Sequence, residues 1–438
     1  MEQNYWVYQD YFIFKPEFNG KIVDHIDIII KYRKLLFSNY NDLETNIKQI
    51  NAEKYNKEKY ISSKFNAQLG NSLDKLTNLT GITFGFSFDK PLVNSLDLLI
   101  NLTHLTFGFS FNKPLDNSLD LLINLTHLTF GTSFNKPLTN SLDKLINLTH
   151  LTFGTSFNQL LTNSLDKLIN LTHIIFGDLF NEPLTNSLNN LINLTHIIFG
   201  SNFCQPLSKS LKKLTNLTQI TFGHSFNTPL FRALIQLKNL THLTFSLYFN
   251  QPLVNSLDKL INLTHLIFGF SFNQPLVSSF VQLINLTHIT FGYKFNQPLN
   301  DTLYYLTKLE HLTLGYEFNQ PLNDTLYYLT KLEHLSLSYE FNQELNLPSN
   351  IKILTLNYNN QNFINNLPNS IEQLNLNYDF NLPLDNLPSS IKKISFDKNS
   401  YYHNLLNNLP KQLEQLELPT KYKSEIQNLP SNCKIVYL

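Results

Sequence analysis

The segment FNQPLVNSLDKLINLTHLIFGFS, residues 249–271, is followed at once by FNQPL, residues 272–276, which begins the same pattern again. A Phe opens each unit, and it recurs every 23 residues from Phe65 to Phe341, a distance of 276 residues or twelve steps. We call it the ruler Phe. A fixed period of this size is the signature of a stacked repeat architecture.

Two short elements are predicted inside each unit. Leu263, Leu266 and Phe268 have the spacing of a strand with alternate side chains pointing inward. Asn255 is a good cap residue, and the Leu residues that follow it fall on one side of a single helical or 3₁₀ turn. One strand and one turn cannot bury their apolar positions alone, so we expect the units to stack.

The repeat resembles two related sequence patterns. LINLTHLTF, as at residues 145–153, looks like the strand half of a leucine-rich repeat. The start, Phe-Asn-x-Pro-Leu, resembles the FNIP repeat, a relative known from social amoebae and from giant viruses that infect them, although Gln251 and Lys113 stand where the family name has Ile. The resemblance covers about residues 65–438. It implies an α/β repeat solenoid: a curved, leucine-rich-repeat-like array with a parallel β-sheet on the concave face and short helical or extended segments on the convex face.

Residues 1–61 do not repeat. The apolar spacing over 22–37 predicts one amphipathic helix, and the spacing over 43–50 predicts a weaker second one. Two interpretations stay open for this mainly helical segment. It is a cap for the apolar end of the first coil, or it is a degenerate F-box-like segment, because some relatives join an F-box to these repeats and Pro16-Glu17-Phe18 faintly echoes its start.

The repeats divide into two blocks. Residues 62–345 carry the regular 23-residue unit, whereas residues 346–438 carry a shorter unit of 19–22 residues with a Leu-Pro pair, as at Leu367-Pro368. The shorter unit predicts an extended or polyproline-like back instead of a helical turn.

Composition limits the classes of function. The chain has 33 Lys and Arg residues against 33 Asp and Glu residues, which gives no electrostatic basis for binding nucleic acid or an anionic membrane. No signal-like or membrane-spanning apolar stretch occurs, and Cys204 and Cys433 are too far apart in the array to pair. We therefore expect a monomeric cytoplasmic protein, in the host cytoplasm if it is viral, that needs no cofactor.

Stacking turns each position of the unit into a column. The Asn after the ruler Phe is expected to bond the backbone of its own coil and of the next, with Asp89 and Cys204 as exceptions. The Gly that follows each strand, as at Gly108 and Gly154, is expected to serve a positive φ or a close backbone approach.

A His column should point out of the strands onto the concave face. Metal binding is one interpretation, but a metal site requires convergent ligands, so a ladder of stacked neutral rings is the preferred one. Below about pH 6 such a ladder should charge and repel itself. Its ten members are His104, His127, His150, His173, His196, His242, His265, His288, His311 and His334.

The residue after the Gly varies between coils, which is where binding specificity can lie. This post-Gly column is aromatic at both ends and polar in the middle. Rigid aromatic side chains are good binding anchors, and packing between neighbouring rings is the alternative interpretation. Its aromatic members include Phe86, Phe109, Phe270, Tyr293, Tyr316, Tyr339, Tyr358 and Tyr378.

No nucleophile–base pair, metal cluster or nucleotide loop stands out from the repeat, so we predict a non-enzyme. The predicted function is a protein-interaction scaffold with its partner on the concave face. The alternative is a substrate adaptor of a ubiquitin ligase, with residues 1–61 engaging the ligase core. The residues predicted to bind the partner are His104, His127, His150, His242, His265, His288, His311, His334, Phe270, Tyr293, Tyr316, Tyr339, Tyr358 and Tyr378.

Overall fold

A computed structural model describes residues 3–52, 60–230, 232–276, 279–299, 302–322, 325–356 and 360–438. The chain forms two compact units, Met1–Phe226 and Asn227–Leu438. Their boundary lies inside the block of regular 23-residue repeats and not at either end of it. None of the described helices is long and apolar enough to span a lipid bilayer.

The first unit is built on a sheet of ten strands. β1 pairs with β2 in the antiparallel sense, and each strand from β2 to β9 pairs in parallel with the next. Two short helices, α1 (Ile26–Ile29) and α2 (Leu43–Ile50), lie between the early strands. The strands are β1 Tyr5–Tyr8, β2 Tyr11–Phe14, β3 Lys34–Phe37, β4 Gly81–Thr83, β5 His104–Thr106, β6 His127–Thr129, β7 His150–Thr152, β8 His173–Ile175, β9 His196–Ile198 and β10 Gln219–Thr221.

The second unit continues the same plan. Its ten strands pair in parallel from β11 to β20, and α3 (Gln361–Asn365) lies on the back of one late coil, where an extended back was expected. The strands are β11 His242–Thr244, β12 His265–Ile267, β13 His288–Thr290, β14 His311–Thr313, β15 His334–Ser336, β16 Ile353–Leu356, β17 Gln373–Leu376, β18 Lys393–Phe396, β19 Gln415–Leu418 and β20 Lys434–Tyr437.

The predicted inward positions form the core. Two Phe columns interleave along it: the ring centroids of Phe107, at the end of one unit, and Phe111, at the start of the next, are 4.0 Å apart, and those of Phe111 and Phe134, one repeat apart, are 6.0 Å apart. Side-chain exposure is 0–3% for all seven predicted core positions of one coil, which are Phe249, Leu253, Leu257, Leu260, Leu263, Leu266 and Phe268.

Successive coils are wedge-shaped. The ring centroids of His104 and His127, on the outer face of the sheet, are 4.2 Å apart, whereas those of the ruler residues Phe111 and Phe134 are 6.0 Å apart. Stacked copies bend toward the side on which they lie closer together. The second unit has the same pair of spacings, 4.2 and 6.0 Å. Within each unit the sheet therefore lies on the concave side, as predicted.

The N-terminal prediction is wrong for residues 34–37. Only Ile22–His25, a 3₁₀ turn, and α1 are helical in the expected first helix, and its last part is strand β3. Here Leu35 pairs with Ile82 of β4 and is 1% exposed. Sheet pairing and burial outweigh the helical spacing of the apolar residues. α2 confirms the second predicted helix.

The Asn column links neighbouring coils through side-chain amides. Asn112 Oδ1 accepts a hydrogen bond from the backbone N–H of Asn135, one coil on, at 2.9 Å. Asp89 replaces an Asn and keeps the bond, because its Oδ1 accepts from the N–H of Asn112 while its Oδ2 pairs with Lys113 at 2.8 Å. Burial opposes ionisation of Asp89, but these two donors together lower its pKa.

The Gly column serves close approach and not a positive φ. Among the described Gly residues, only Gly70, outside the column, has a φ in the left-handed region. A Cβ built on Gly154 would lie 1.7 Å from the carbonyl oxygen of Gly131, so neither backbone has room for a side chain.

The Asn before the turn has a different role from the predicted cap. Asn255 has a φ of 58°, and Asn94 and Asn163 repeat that left-handed conformation at 53° and 61°. Asn tolerates this region better than most residues do. The turn that follows is of the 3₁₀ kind, because the N–H of Leu260 donates to the carbonyl of Leu257 at 2.9 Å.

We expect Gly154→Ala to destabilise the chain by about 1–3 kcal/mol, because the added methyl overpacks two backbones. Gly81→Ala is the matched control, since its Cβ would meet the flexible Lys34 side chain at 3.3 Å and the Cβ of His104 at an ordinary van der Waals distance of 3.9 Å. Urea denaturation measures both. Equal midpoints for the two variants would show that the column tolerates a side chain.

Asn255→Ala is expected to cost about 1 kcal/mol, because Ala lacks the tolerance of Asn for a positive φ. Asn255→Gly relieves that strain and should be nearly neutral or stabilising. Thermal unfolding of the two variants and the parent chain makes the comparison, and an Ala variant as stable as the Gly variant would contradict the conformational role.

Candidate functional site

The outer face of the sheet carries the predicted His ladder in both units. Five rings stack in the first unit and five in the second, and in each unit neighbouring centroids are about 4 Å apart, as for His127 and His150 at 4.2 Å. Gln219 takes the column position in β10. Parallel pairing of identical strands places each ring directly beside the next, so the repeat itself builds the ladder.

A Thr precedes eight of these ten His residues and lies beside one ring nitrogen, whereas Glu310 and Glu333 precede His311 and His334. Thr126 Oγ1 lies 2.9 Å from Nδ1 of His127 and 3.0 Å from the carbonyl oxygen of Thr103, one coil earlier. The hydroxyl has one proton and donates to only one of these partners. In either arrangement Nδ1 is occupied, and Nε2 is the ring nitrogen left for solvent or a binding partner.

The ladder disfavours the charged imidazolium. Burial, together with the charge of the neighbouring His rings, lowers the pKa of His127 to about 4. In the second unit burial and the adjacent rings likewise lower the pKa of His288 to about 4. The pKa of His150 is also lowered by burial. The rings are partly exposed to water, so the ladder offers a row of neutral Nε2 atoms.

The metal interpretation finds no geometric support. The rings of His127 and His150 are within 9° of parallel, so their Nε2 lone pairs point the same way and do not converge on one ion. Over the described part of the chain, no group of three or more His, Cys, Asp or Glu side chains is arranged to hold a metal.

The second unit adds an aromatic ladder at the other end of its strands. Phe270, Tyr293, Tyr316 and Tyr339 stack in order with centroids 4.4–4.5 Å apart. Phe270 and Tyr293 are 39% and 37% exposed. Both interpretations of the post-Gly column therefore hold together: the rings pack on one another, and their edges still face outward.

An acidic group ends this ladder. Hydrogen bonding to the Asp379 carboxylate raises the pKa of Tyr339, and it raises that of Tyr378 as well. Tyr378 itself is 44% exposed. Tyr358, which was predicted to continue the ladder, lies outside the described residues.

The structure thus brings the predicted residues together in two sets. His104, His127 and His150 lie on the first unit, where the aromatic pair Phe86–Phe109 stacks at 4.5 Å. The second unit alone combines a His ladder with a four-ring aromatic ladder in the same coils. The residues of that second set are His242, His265, His288, His311, His334, Phe270, Tyr293, Tyr316 and Tyr339.

The first unit has a groove that was not predicted from the sequence. An open groove of about 780 Å³ runs across successive coils and is lined by Asn and Thr side chains between Asn101 and Asn216. They belong to the recurring Asn-Leu-Thr triplet, which was assigned from the sequence to the strand half of the repeat. The signal was present in the sequence: an Ile that is not a core position precedes the triplet in five successive coils.

The lowered His pKa values predict acid sensitivity. The unfolded His has a pKa of about 6.5, whereas that of folded His127 is about 4. Between these values the unfolded chain binds more protons, so the ladder's stability is complete above about pH 6.5 and is lost as the pH falls toward 4. We expect the Tm to decrease steadily from pH 7.5 to 4.5.

A triple variant isolates the ladder from the titration of carboxylates. His127→Gln, His150→Gln and His173→Gln copy the residue that Gln219 already places in the column. The variant should lose less Tm than the parent over the same pH range. Parallel curves of Tm against pH for the two proteins would show that the ladder does not titrate on unfolding.

Comparison with known proteins agrees with this architecture. Residues 358–399 match the model of the FNIP Repeat family. CroV588, a circular leucine-rich-repeat protein of a giant virus, has 26% sequence identity over 99% of this chain and 77% of its own, with a TM-score of 0.56. No curated protein matches the chain.

Two bacterial proteins share the fold alone. A leucine-rich-repeat protein of Leptospira interrogans is 18% identical over 84% of this chain and 98% of its own, with a TM-score of 0.56. An internalin of Listeria monocytogenes is 15% identical over 77% and 88%, with a TM-score of 0.54. The predicted resemblance is confirmed: the chain is a leucine-rich-repeat solenoid that carries an FNIP repeat.

Proposed function

We propose that this chain is a non-catalytic protein-interaction scaffold whose partner docks on the sheet face of the second unit. The observation that carries the proposal is the paired arrangement of two ladders. Each coil from β12 to β15 begins its strand with a His ring and follows the strand with an aromatic ring. Ile267, 42% exposed, and Thr290 lie between the two ladders.

Pre-organisation makes this surface suitable for a protein partner. Stacked rings are already held in place, so binding costs little additional side-chain entropy. Their faces are covered by their neighbours, and only edges and hydroxyl groups are presented, which favours a broad partner surface over a small ring-shaped ligand. Lys294 directly follows Tyr293, but Glu317 and Glu340 follow Tyr316 and Tyr339, so basic side chains on the partner complement the later part of this edge.

The fold supports the class of function. Leucine-rich-repeat arrays present extended concave surfaces to binding partners and are typical of non-enzymatic scaffolds. One structurally similar chain belongs to the Toll–Spatzle complex of Drosophila; it is 15% identical over 96% of this chain and 57% of its own, with a TM-score of 0.57. We further propose that the scaffold acts as a cytoplasmic monomer.

The adaptor alternative gains no support from the described residues. β3 lies in the segment assigned to an F-box-like module, yet it pairs with β4 of the repeat sheet, and β2 pairs with β3. Antiparallel β1 closes the free edge of β2. This part of the chain is thus built into the first unit of the array, as a cap would be.

Paired Tyr variants test the proposed surface. Tyr293→Ser with Tyr316→Ser should reduce capture of the partner from an amoebal lysate roughly tenfold or more, because central aromatic anchors carry most of an interface's affinity. Tyr304→Ser with Tyr327→Ser is the matched control, since these residues are 48% and 51% exposed on the turns of the same block. Captured proteins are quantified by mass spectrometry.

The control should retain the parent's partners, and both variants should keep the parent's Tm within a few degrees. Equal capture by the two variants would overturn the sheet-face assignment. A loss confined to the Tyr304 and Tyr327 variant would place the interface on the turn side.

A further inference from the structure

We propose that the first unit carries a second docking surface, which binds a basic amphipathic α-helix of a partner protein in the groove that begins at Asn101. This surface does not involve the Tyr ladder and does not depend on the function proposed for it. Three rows of side chains, each repeated from coil to coil, support the assignment: an aliphatic row, an acceptor row and an acidic row.

The aliphatic row consists of exposed Ile side chains at one position of successive coils. One Ile immediately precedes the groove-lining Asn in five successive coils, and every one is about half exposed. A single exposed Ile is ordinary, but an unbroken row of five forms a continuous apolar stripe of the kind that marks binding sites. The exposures are 52% for Ile100, 51% for Ile123, 50% for Ile146, 52% for Ile169 and 54% for Ile192.

The acceptor row consists of Asn amide oxygens. The Nδ2 of Asn124 donates to the carbonyl of Ile100 at 2.9 Å, and the Nδ2 of Asn147 donates to that of Ile123 at 2.9 Å. These bonds fix each amide, and no described side chain donates to its Oδ1. In the second unit, by contrast, Lys308 Nζ donates to Asn285 Oδ1 at 2.7 Å. The column therefore accepts an ammonium group where one is present.

An acidic row lies close in sequence to the groove-lining residues, although Lys144 and Lys167 directly follow two of its members. Asp97, Asp120, Asp143 and Asp166 each lie three residues before the Ile of their coil. None of them forms an ion pair with another described residue. A helix with Lys or Arg beside its apolar face would satisfy both the carboxylates and the free amide oxygens.

Spacing favours a helix over an extended peptide. Neighbouring coils of this unit lie between 4.2 Å apart, at the His rings, and 6.0 Å apart, at the ruler Phe rings. The pitch of an α-helix, about 5.4 Å, falls inside that range, so a helix along the groove places one side chain opposite each coil. An extended strand repeats its side chains at about 6.7 Å and loses register within a few coils.

The test uses a designed probe. An 18-residue helical peptide carries Leu at positions i, i+4, i+7, i+11 and i+14 and Lys on both sides of that row, and its fluorescence anisotropy is measured with the full chain. Ile123→Thr, Ile146→Thr and Ile169→Thr together should weaken binding roughly tenfold or more. The substitution copies Thr215, which occupies the same position two coils further on.

The repeat supplies a matched control. Ile261→Thr with Ile284→Thr changes the same position in the second unit, where the two Ile residues are 43% and 53% exposed. Lys238 and Thr307 occupy this position in the coils on either side, so the Ile row is only two coils long there. This variant should bind as the parent does. So should the Tyr293 and Tyr316 variant, which separates this surface from the sheet-face proposal.

Three results would overturn the proposal. One is equal binding by the triple variant and the parent. Another is equal binding of a peptide with Glu in place of Lys, which would remove the role of the acceptor and acidic rows. The third is a dimer of the parent chain, seen by sedimentation velocity, that the triple variant abolishes, which would make a second copy of the chain the occupant of the stripe.

Discussion

Every coil depends on its neighbour for its polar groups. The backbone N–H of Phe107 donates to the carbonyl of Thr129 in the next coil, and that of Thr126 donates to the carbonyl of Thr103 in the previous one, each at 2.9 Å. The side chain of Asn112 completes the link at the bend. Buried backbone groups without partners are costly, so a coil removed from the stack would lose both its hydrogen bonds and its apolar contacts.

This dependence determines which positions are free to vary. Inward Phe and Leu positions are fixed by the core, and Gly154 is fixed by the carbonyl of Gly131. Outward positions carry no such constraint. Because the strands pair in parallel and in register, the same outward residue type in successive coils forms a row. One residue per coil therefore creates a ladder of imidazoles, aromatic edges, amide oxygens or isoleucines.

The sequence predicted most of the fold because its signals are local and repeated. The 23-residue step, the strand spacing of Leu263 to Phe268 and the Gly column depend only on period and sterics. Leu35 could not be assigned to a strand in the same way, because its pairing with Ile82 is a contact between residues 47 positions apart. The left-handed Asn255 was mistaken for a cap because Asn is favoured in both conformations.

The candidate sites also differ in whether they could be predicted from local, repeated signals. Ladders of one residue type, such as the His column, were predictable because stacking identical coils leaves no other arrangement. The groove beside Asn101 was not predictable. It depends on which atom of each Asn amide is already hydrogen-bonded to the backbone of the previous coil. In the first unit each Ile of the row directly precedes an Asn whose side-chain oxygen accepts from no described side chain, whereas in the second unit Lys308 donates to the equivalent oxygen of Asn285. The same repeat therefore gives its two units chemically different surfaces, because the units differ in their outward residues and not in their fold.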